Sequence, residues 1–262
     1  MLQSITPLDR DEFVQQTREG LAKQSGAGKQ ALIFIHGYNV TFTSALQRAA
    51  QVAYDLNFAG LTMLYSWPSE GSTHKYTVDE SNIFWTRPHL KEFLQMVMTE
   101  LGATEVNIIA HSMGNRALVE NLADFRPEEL PVSAAKLHQI IFAAPDVDKD
   151  TFVDLAKAFY TKAGRFTLYA SSKDLALGAS EAVHKYQRAG DSKPSVLVAE
   201  GIDTVDASSV KVDFLGHSYF GSSDSVICDL YKLILEGHPP DRRGLERREL
   251  GGRAYWEFNI NP

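Results

Sequence analysis

The chain has 262 residues, 33 acidic against 26 basic side chains, a formal net charge of −7 and 44% hydrophobic residues. That length can bury a sizeable core, and the acidic balance argues against a nucleic-acid partner, which needs clustered Lys and Arg to meet phosphates. No apolar run approaches the roughly 18 residues of a bilayer span, and the single cysteine, Cys228, excludes an intrachain disulfide and suits a reducing compartment.

The first 30 residues read as peripheral. The N-terminus "MLQSITPLDRDEF" has no basic segment followed by an apolar one, so a cytoplasmic location is expected unless a targeting segment has been removed. Short apolar, β-branched runs then alternate with helical patterns. Strands are predicted at "ALIFIHG" (31–37), "LTMLYSWPS" (61–69), "EVNIIAHS" (105–112), "HQIIFAAPD" (138–146), "RFTLYASSKD" (165–174) and "SVLVAEGID" (195–203). Helices are predicted at "SALQRAAQVAYDL", "RPHLKEFLQMVMTEL", "NRALVENLADF" and "DTFVDLAKAFY", and "FGSSDSVICDLYKLILEG" supplies a closing helix in which Cys228 is expected to be buried. The tail beyond about residue 238 alternates arginine with glutamate and reads as a solvated face. This alternation predicts one α/β domain over 1–262, its core at about 30–236, with a mostly parallel central sheet covered by helices on both faces. Ligands of such a sheet bind beyond the carboxyl ends of its strands.

Those ends carry "HGYN", "AHSMG", "APDVD" and "SSKD", and "GHSYF" follows the last strand. Ser112 in "AHSMG" has two readings. As a nucleophile it needs a tight strand-to-helix turn with small residues two before and two after, which Ala110 and Gly114 supply. As a structural residue it would cap the following helix. "IFIHGYNV" favours the nucleophile, because an oxyanion hole takes a second backbone N–H from the loop after an earlier strand. Gly37 lets that loop turn, so the amide of Tyr38, with Asn39 as fallback, is expected to partner the amide of Met113. His36 reads as an organiser of the loop.

The base is expected late in the chain. His138 opens a strand, His184 lies in a helix or loop and His238 in the tail, whereas His217 sits in a Gly-flanked loop before the closing helix. Neutral imidazole suits a serine nucleophile near pH 7. The acid is Asp174 or Asp146; Asp174 is favoured because Asp146, Asp148 and Asp150 read as a cluster capping the helix from Thr151. That acidic trio lacks the glycine and glutamate of a calcium loop, and neither metal nor cofactor is expected.

In this order and at these spacings, "FIHGYN", "SWPS", "AHSMGNR", "AAPDVD", "YASSKD" and "GHSYF" resemble the bacterial α/β-hydrolases grouped as an uncharacterised, esterase-like serine-hydrolase family. The resemblance spans about residues 30–236. It implies the α/β-hydrolase fold and a Ser-Asp-His triad at Ser112, Asp174 and His217, but no particular substrate; members often carry an export signal or lipid anchor. "SWPSEGSTHKYTVDESNIFW" (66–85) reads either as a wall of the acyl or alcohol pocket or as a loop packed on Trp67 and Trp85. No insertion after residues 123–125 is long enough for a lid domain, so an open site for short acyl esters is expected, with Arg116 in a helix-surface salt bridge. A thioesterase, amidase or lipase would use the same groups; the alternative class is a non-catalytic binding module on the same fold.

Overall fold

A computed structural model describes residues 4–210 and 224–259. Among the described residues, eight strands form one sheet: β1 (Gln30–Ile35), β2 (Leu61–Tyr65), β3 (Glu105–His111), β4 (Lys136–Ala143), β5 (Arg165–Ala170), β6 (Ile202–Asp206), β7 (Leu245–Leu250) and β8 (Arg253–Phe258). Their order is β2-β1-β3-β4-β5-β6-β8-β7, and every neighbouring pair is parallel except the β7–β8 hairpin. The helices are α1 (Arg10–Ala22), α2 (Phe42–Asp55), α3 (Tyr76–Trp85), α4 (Arg87–Thr99), α5 (Gly114–Asp124), α6 (Lys149–Phe159), α7 (Leu175–His184) and α8 (Asp224–Ile234).

Successive side chains of a strand point to opposite faces, so the central strands feed two cores. Ile33, Ile35, Ile108 and Ala110 pack on one face against Leu90 and Val97 of α4, Leu118 of α5 and Phe152 and Phe159 of α6. Leu32, Phe34 and Ile109 pack on the other against Ala49 and Val52 of α2 and Leu230 and Leu233 of α8. Full burial of one such side chain stabilises the fold by roughly 1.5–3 kcal/mol. The covered sheet is the reason these strands are apolar almost throughout.

Several expectations change. Helix α1 is not peripheral, because Val14 and Leu21 belong to the first core. The run 195–199 is irregular although Val196, Leu197 and Ala199 are buried, and the sixth strand begins only after Gly201 turns the chain at φ 71°. An apolar run by itself does not distinguish a buried coil from a strand. The tail folds back as the β7–β8 hairpin, with β8 extending the sheet beside β6 and Trp256 and Phe258 in the second core. Its alternating charges lie on β7, the exposed edge strand, where charges discourage pairing with another chain. Buried Arg243, just before β7, pairs with Asp229 of α8 at 3.3 Å, and Asp229 also accepts from the Tyr169 hydroxyl. Cys228 is exposed, since Val226, Leu230 and Leu233 define the inward stripe of α8.

Candidate active site

The carboxyl ends of β1, β3, β4 and β5 carry His36–Gly37, Ser112, Asp146 and Asp174 in turn. Between β3 and α5 the chain reverses through Ser112, whose φ is +48°. A non-glycine residue in the left-handed region costs on the order of 1 kcal/mol or more and persists where its surroundings enforce it. Here they do. The Ser112 N–H donates to the Ala143 carbonyl at 2.9 Å, and the Ser112 carbonyl accepts from the N–H groups of Asn115 (3.1 Å) and Asp146 (3.2 Å).

Close approach explains the small residues around this turn. A Cβ on Gly114 would stand 2.5 Å from the His36 carbonyl oxygen, so α5 starts directly against the end of β1. A Cβ on Gly37 would stand 2.8 Å from His111 Nδ1 and 3.0 Å from Ser112 Cβ. Ala110, two residues before the serine, is fully buried with its methyl accommodated. The helix-cap reading of Ser112 does not hold, because the cap position of α5 is Met113 and no side chain caps the helix.

Asn115 went unrecognised in the sequence. Fully buried, its Nδ2 lies 3.1 Å from the Ala110 carbonyl, 3.0 Å from that of Ser112 and 3.4 Å from that of Ala143. One amide thus ties β3, the turn and β4 together. Its only sequence signal was an amide side chain in the first turn of an apolar helix, where a buried polar group needs partners.

Among the described residues, His36 and His111 lie near the serine. The His36 ring stacks on Trp67 with centroids 5.0 Å apart; Nδ1 lies 2.8 Å from the Gly37 carbonyl and Nε2 3.0 Å from the Trp67 carbonyl. Burial lowers its pKa. This is the loop-organising role expected of it. His111 is directed to the opposite face, into a small cavity with Phe34, Ile109 and Val226. Burial, then Arg48 and His36, push it down to about 3, so it stays neutral. His138 lies on Asn107 at the far end of the sheet and His238 on Glu236. His217 lies outside the described residues.

Asn39 is removed as the fallback oxyanion donor because its N–H donates to Asp79 Oδ2 at 3.2 Å. Buried Asp79, also unforeseen, accepts from Glu70 N–H and Ser69 Oγ and so gathers the loop after β2. The Tyr38 ring packs edge-on against Tyr76, and its hydroxyl donates to the Thr73 carbonyl. Trp67 is buried and anchors the 66–85 segment, as in the packed-loop reading, but Trp85 is exposed beside His89 at the end of α3.

The two candidate acids sit in different surroundings, and the expected capping by Asp146 is not found. Asp174 Oδ1 accepts from the Leu177 N–H at 3.0 Å, at the start of α7. Asp148, not Asp146, caps α6 through Thr151. Buried Asp146 accepts from Tyr76 (2.6 Å), Ser180 (2.6 Å) and Arg116 Nη2 (3.2 Å), and Arg188 Nε stands 3.5 Å away. Arg116 is therefore no surface residue. Burial opposes its charge, but Asp146, Tyr76 and Glu80 outweigh that and raise its pKa above the ordinary value.

An uncharacterized protein of Nostoc sp. is 28% identical over 134 residues, 40% of this chain and 35% of that relative's length. Among solved structures, a predicted CIB-like hydrolase from Thermoplasma acidophilum matches with TM-score 0.44 and 12% identity over 82% of this chain and 88% of its own. The ydeN gene product of B. subtilis matches with TM-score 0.39 and 15% identity over 55% and 73%. No helix among the described residues is long and apolar enough to cross a membrane. Residues 10–236 match the family described as alpha/beta hydrolase of unknown function (DUF900), and the chain belongs to that family of α/β-hydrolases.

Proposed function

We propose that the protein is a serine carboxylester hydrolase with Ser112 as nucleophile, His217 as base and Asp174 as acid. The observation that carries this reading is the enforced left-handed serine at a strand end, with Gly114 held against the His36 carbonyl. A strained turn of this kind keeps a hydroxyl out of the helix-cap role and presents it at a helix N-terminus, where developing negative charge is favoured. Asp174 is favoured over Asp146 because a carboxylate has about four acceptor positions. Those of Asp146 already meet three hydrogen bonds and a second guanidinium.

In the reaction, His217 takes the Ser112 proton as Oγ attacks the ester carbonyl, and Asp174 orients and stabilises the imidazolium. The amides of Tyr38 and Met113 hold the oxyanion; no described residue accepts a hydrogen bond from either. The alcohol departs with the proton from His217, and water releases the acyl group by the reverse sequence. With no cofactor in this scheme, the substrate is a small acyl ester, and the lack of a lid-length insertion favours short chains.

A fluorophosphonate probe tests this directly, because only an activated serine reacts. Wild type should label and hydrolyse acyl esters of about two to six carbons faster than longer ones, each extra methylene gaining about 0.8 kcal/mol only where apolar wall exists to bury it. Ser112→Ala and His217→Ala should each abolish most turnover, and the double variant should lose little more. An unlabelled, inactive wild type would favour the binding-module alternative.

A further inference from the structure

Helix α7 starts at the proposed acid and ends in a buried cluster against the serine turn. Asp174 immediately precedes its first residue, and Ser180 and His184 lie about two and three turns further along. Ser180 Oγ donates to Asp146 Oδ1 at 2.6 Å, and the Tyr76 hydroxyl of α3 donates to Oδ2 at 2.6 Å. Asp146 in turn grips the turn itself. Its N–H donates to the Ser112 carbonyl, and Arg116, four residues after the serine, donates to its carbonyl (2.7 Å) and its Oδ2 (3.2 Å). A second path runs beside it, from Arg116 Nη1 to Glu80 Oε1 (2.6 Å) and on to His184 Nε2 (2.7 Å). Burial, reinforced by Asp146, holds the Tyr76 hydroxyl well above its ordinary pKa, so it remains a donor.

We infer that Asp146 is a positioning residue for the esterase: its buried carboxylate locks α7, and with it Asp174, in register with the Ser112 turn. The inference rests on the reading of Ser112 and Asp174 as triad members, while the link between α7 and the turn stands on the contacts alone. A buried carboxylate with several fixed donors has few alternative arrangements, because each lost partner leaves a charge or hydroxyl unsatisfied. α5 and α7 have no such tie through the sheet, since β3 and β5 are separated by β4.

Tyr76→Phe and Ser180→Ala each remove one donor to Asp146 while leaving the side chain's packing nearly intact, and they are tested singly and together with Ser112→Ala as the inert control. The double variant should lose about tenfold or more in kcat with KM within about twofold, the pattern of an interaction that matters in the transition state. The acid limb of its kcat/KM profile should move to lower pH, because an imidazolium whose carboxylate has drifted is less stabilised. Amide hydrogen exchange should quicken in both 175–184 and 112–118. Unchanged kcat, or a fall in kcat with an unmoved acid limb, overturns the positioning role, and exchange that quickens around α3 alone overturns the link. A wild type that neither labels nor hydrolyses esters refutes the esterase reading instead, and the exchange measurement then decides the link by itself.

Discussion

His111 offers the sharpest test of the electrostatics around the serine. Its folded pKa of about 3 lies below the ordinary value of 6.5. The folded protein therefore binds fewer protons at this site than the unfolded chain does. Stability from this group is fully present above about pH 6.5 and is lost progressively as pH falls toward about 3. At pH 5 the unfolded histidine is almost wholly protonated and the folded one is not, which costs about 2 kcal/mol relative to pH 8. For a chain of this size that is roughly 4–8 °C in Tm. His36, also lowered by burial, acts in the same direction, so the contrast with a variant isolates His111. Thermal unfolding of wild type and His111→Gln should be followed from pH 8 to pH 5. The variant begins from a different Tm because its packing changes, but its curve should be shallower by about that amount. Parallel curves would refute the neutral, buried state of His111.

Asp174→Asn should keep its cap on α7, since Asn caps about as well as Asp, yet lower ester turnover by at least about a hundredfold by removing the charge that stabilises imidazolium. Asp146→Asn should cost about 3–5 kcal/mol in thermal unfolding, because buried Arg188 loses the carboxylate it faces while Arg116 keeps Glu80, and should lower turnover by about tenfold through lost positioning rather than about a hundredfold; an active Asp174→Asn with an inactive but equally stable Asp146→Asn would invert the assignment. Gly114→Ala forces a Cβ to 2.5 Å from the His36 carbonyl and should cost about 1–3 kcal/mol in denaturant melts and abolish probe labelling, because strand and helix cannot part without moving the serine; a fully labelled variant would show that the turn tolerates the methyl. Asn115→Asp replaces a donor that meets three carbonyls with an acceptor and should slow probe labelling at least about tenfold at neutral pH, with partial recovery where the carboxyl is protonated. Labelling equal to wild type would remove Asn115 from the turn's support.

The sequence by itself determined the alternation of strands and helices, since burial on both faces demands apolar strands and amphipathic helices need three- and four-residue spacing. It also determined the serine turn, because a side chain at residue 114 would meet the backbone of β1, and that constraint leaves its mark locally as a glycine. Tertiary structure decided what depends on distant partners. The acids of 146–150 look alike as a string, but only packing shows that Asp148 caps α6 while Asp146 meets Tyr76, Ser180 and two arginines from four other segments. Arg116 and the C-terminal arginines read as equally solvated, yet Arg116 is largely enclosed between Glu80 and Asp146, Arg243 is buried against Asp229, and the hairpin after Arg243 completes the sheet. Charge in a sequence reads as exposure because burying an unpaired ion is so costly. A buried ion pair defeats that rule, since its partner can lie anywhere in the chain and only the folded arrangement brings the two together.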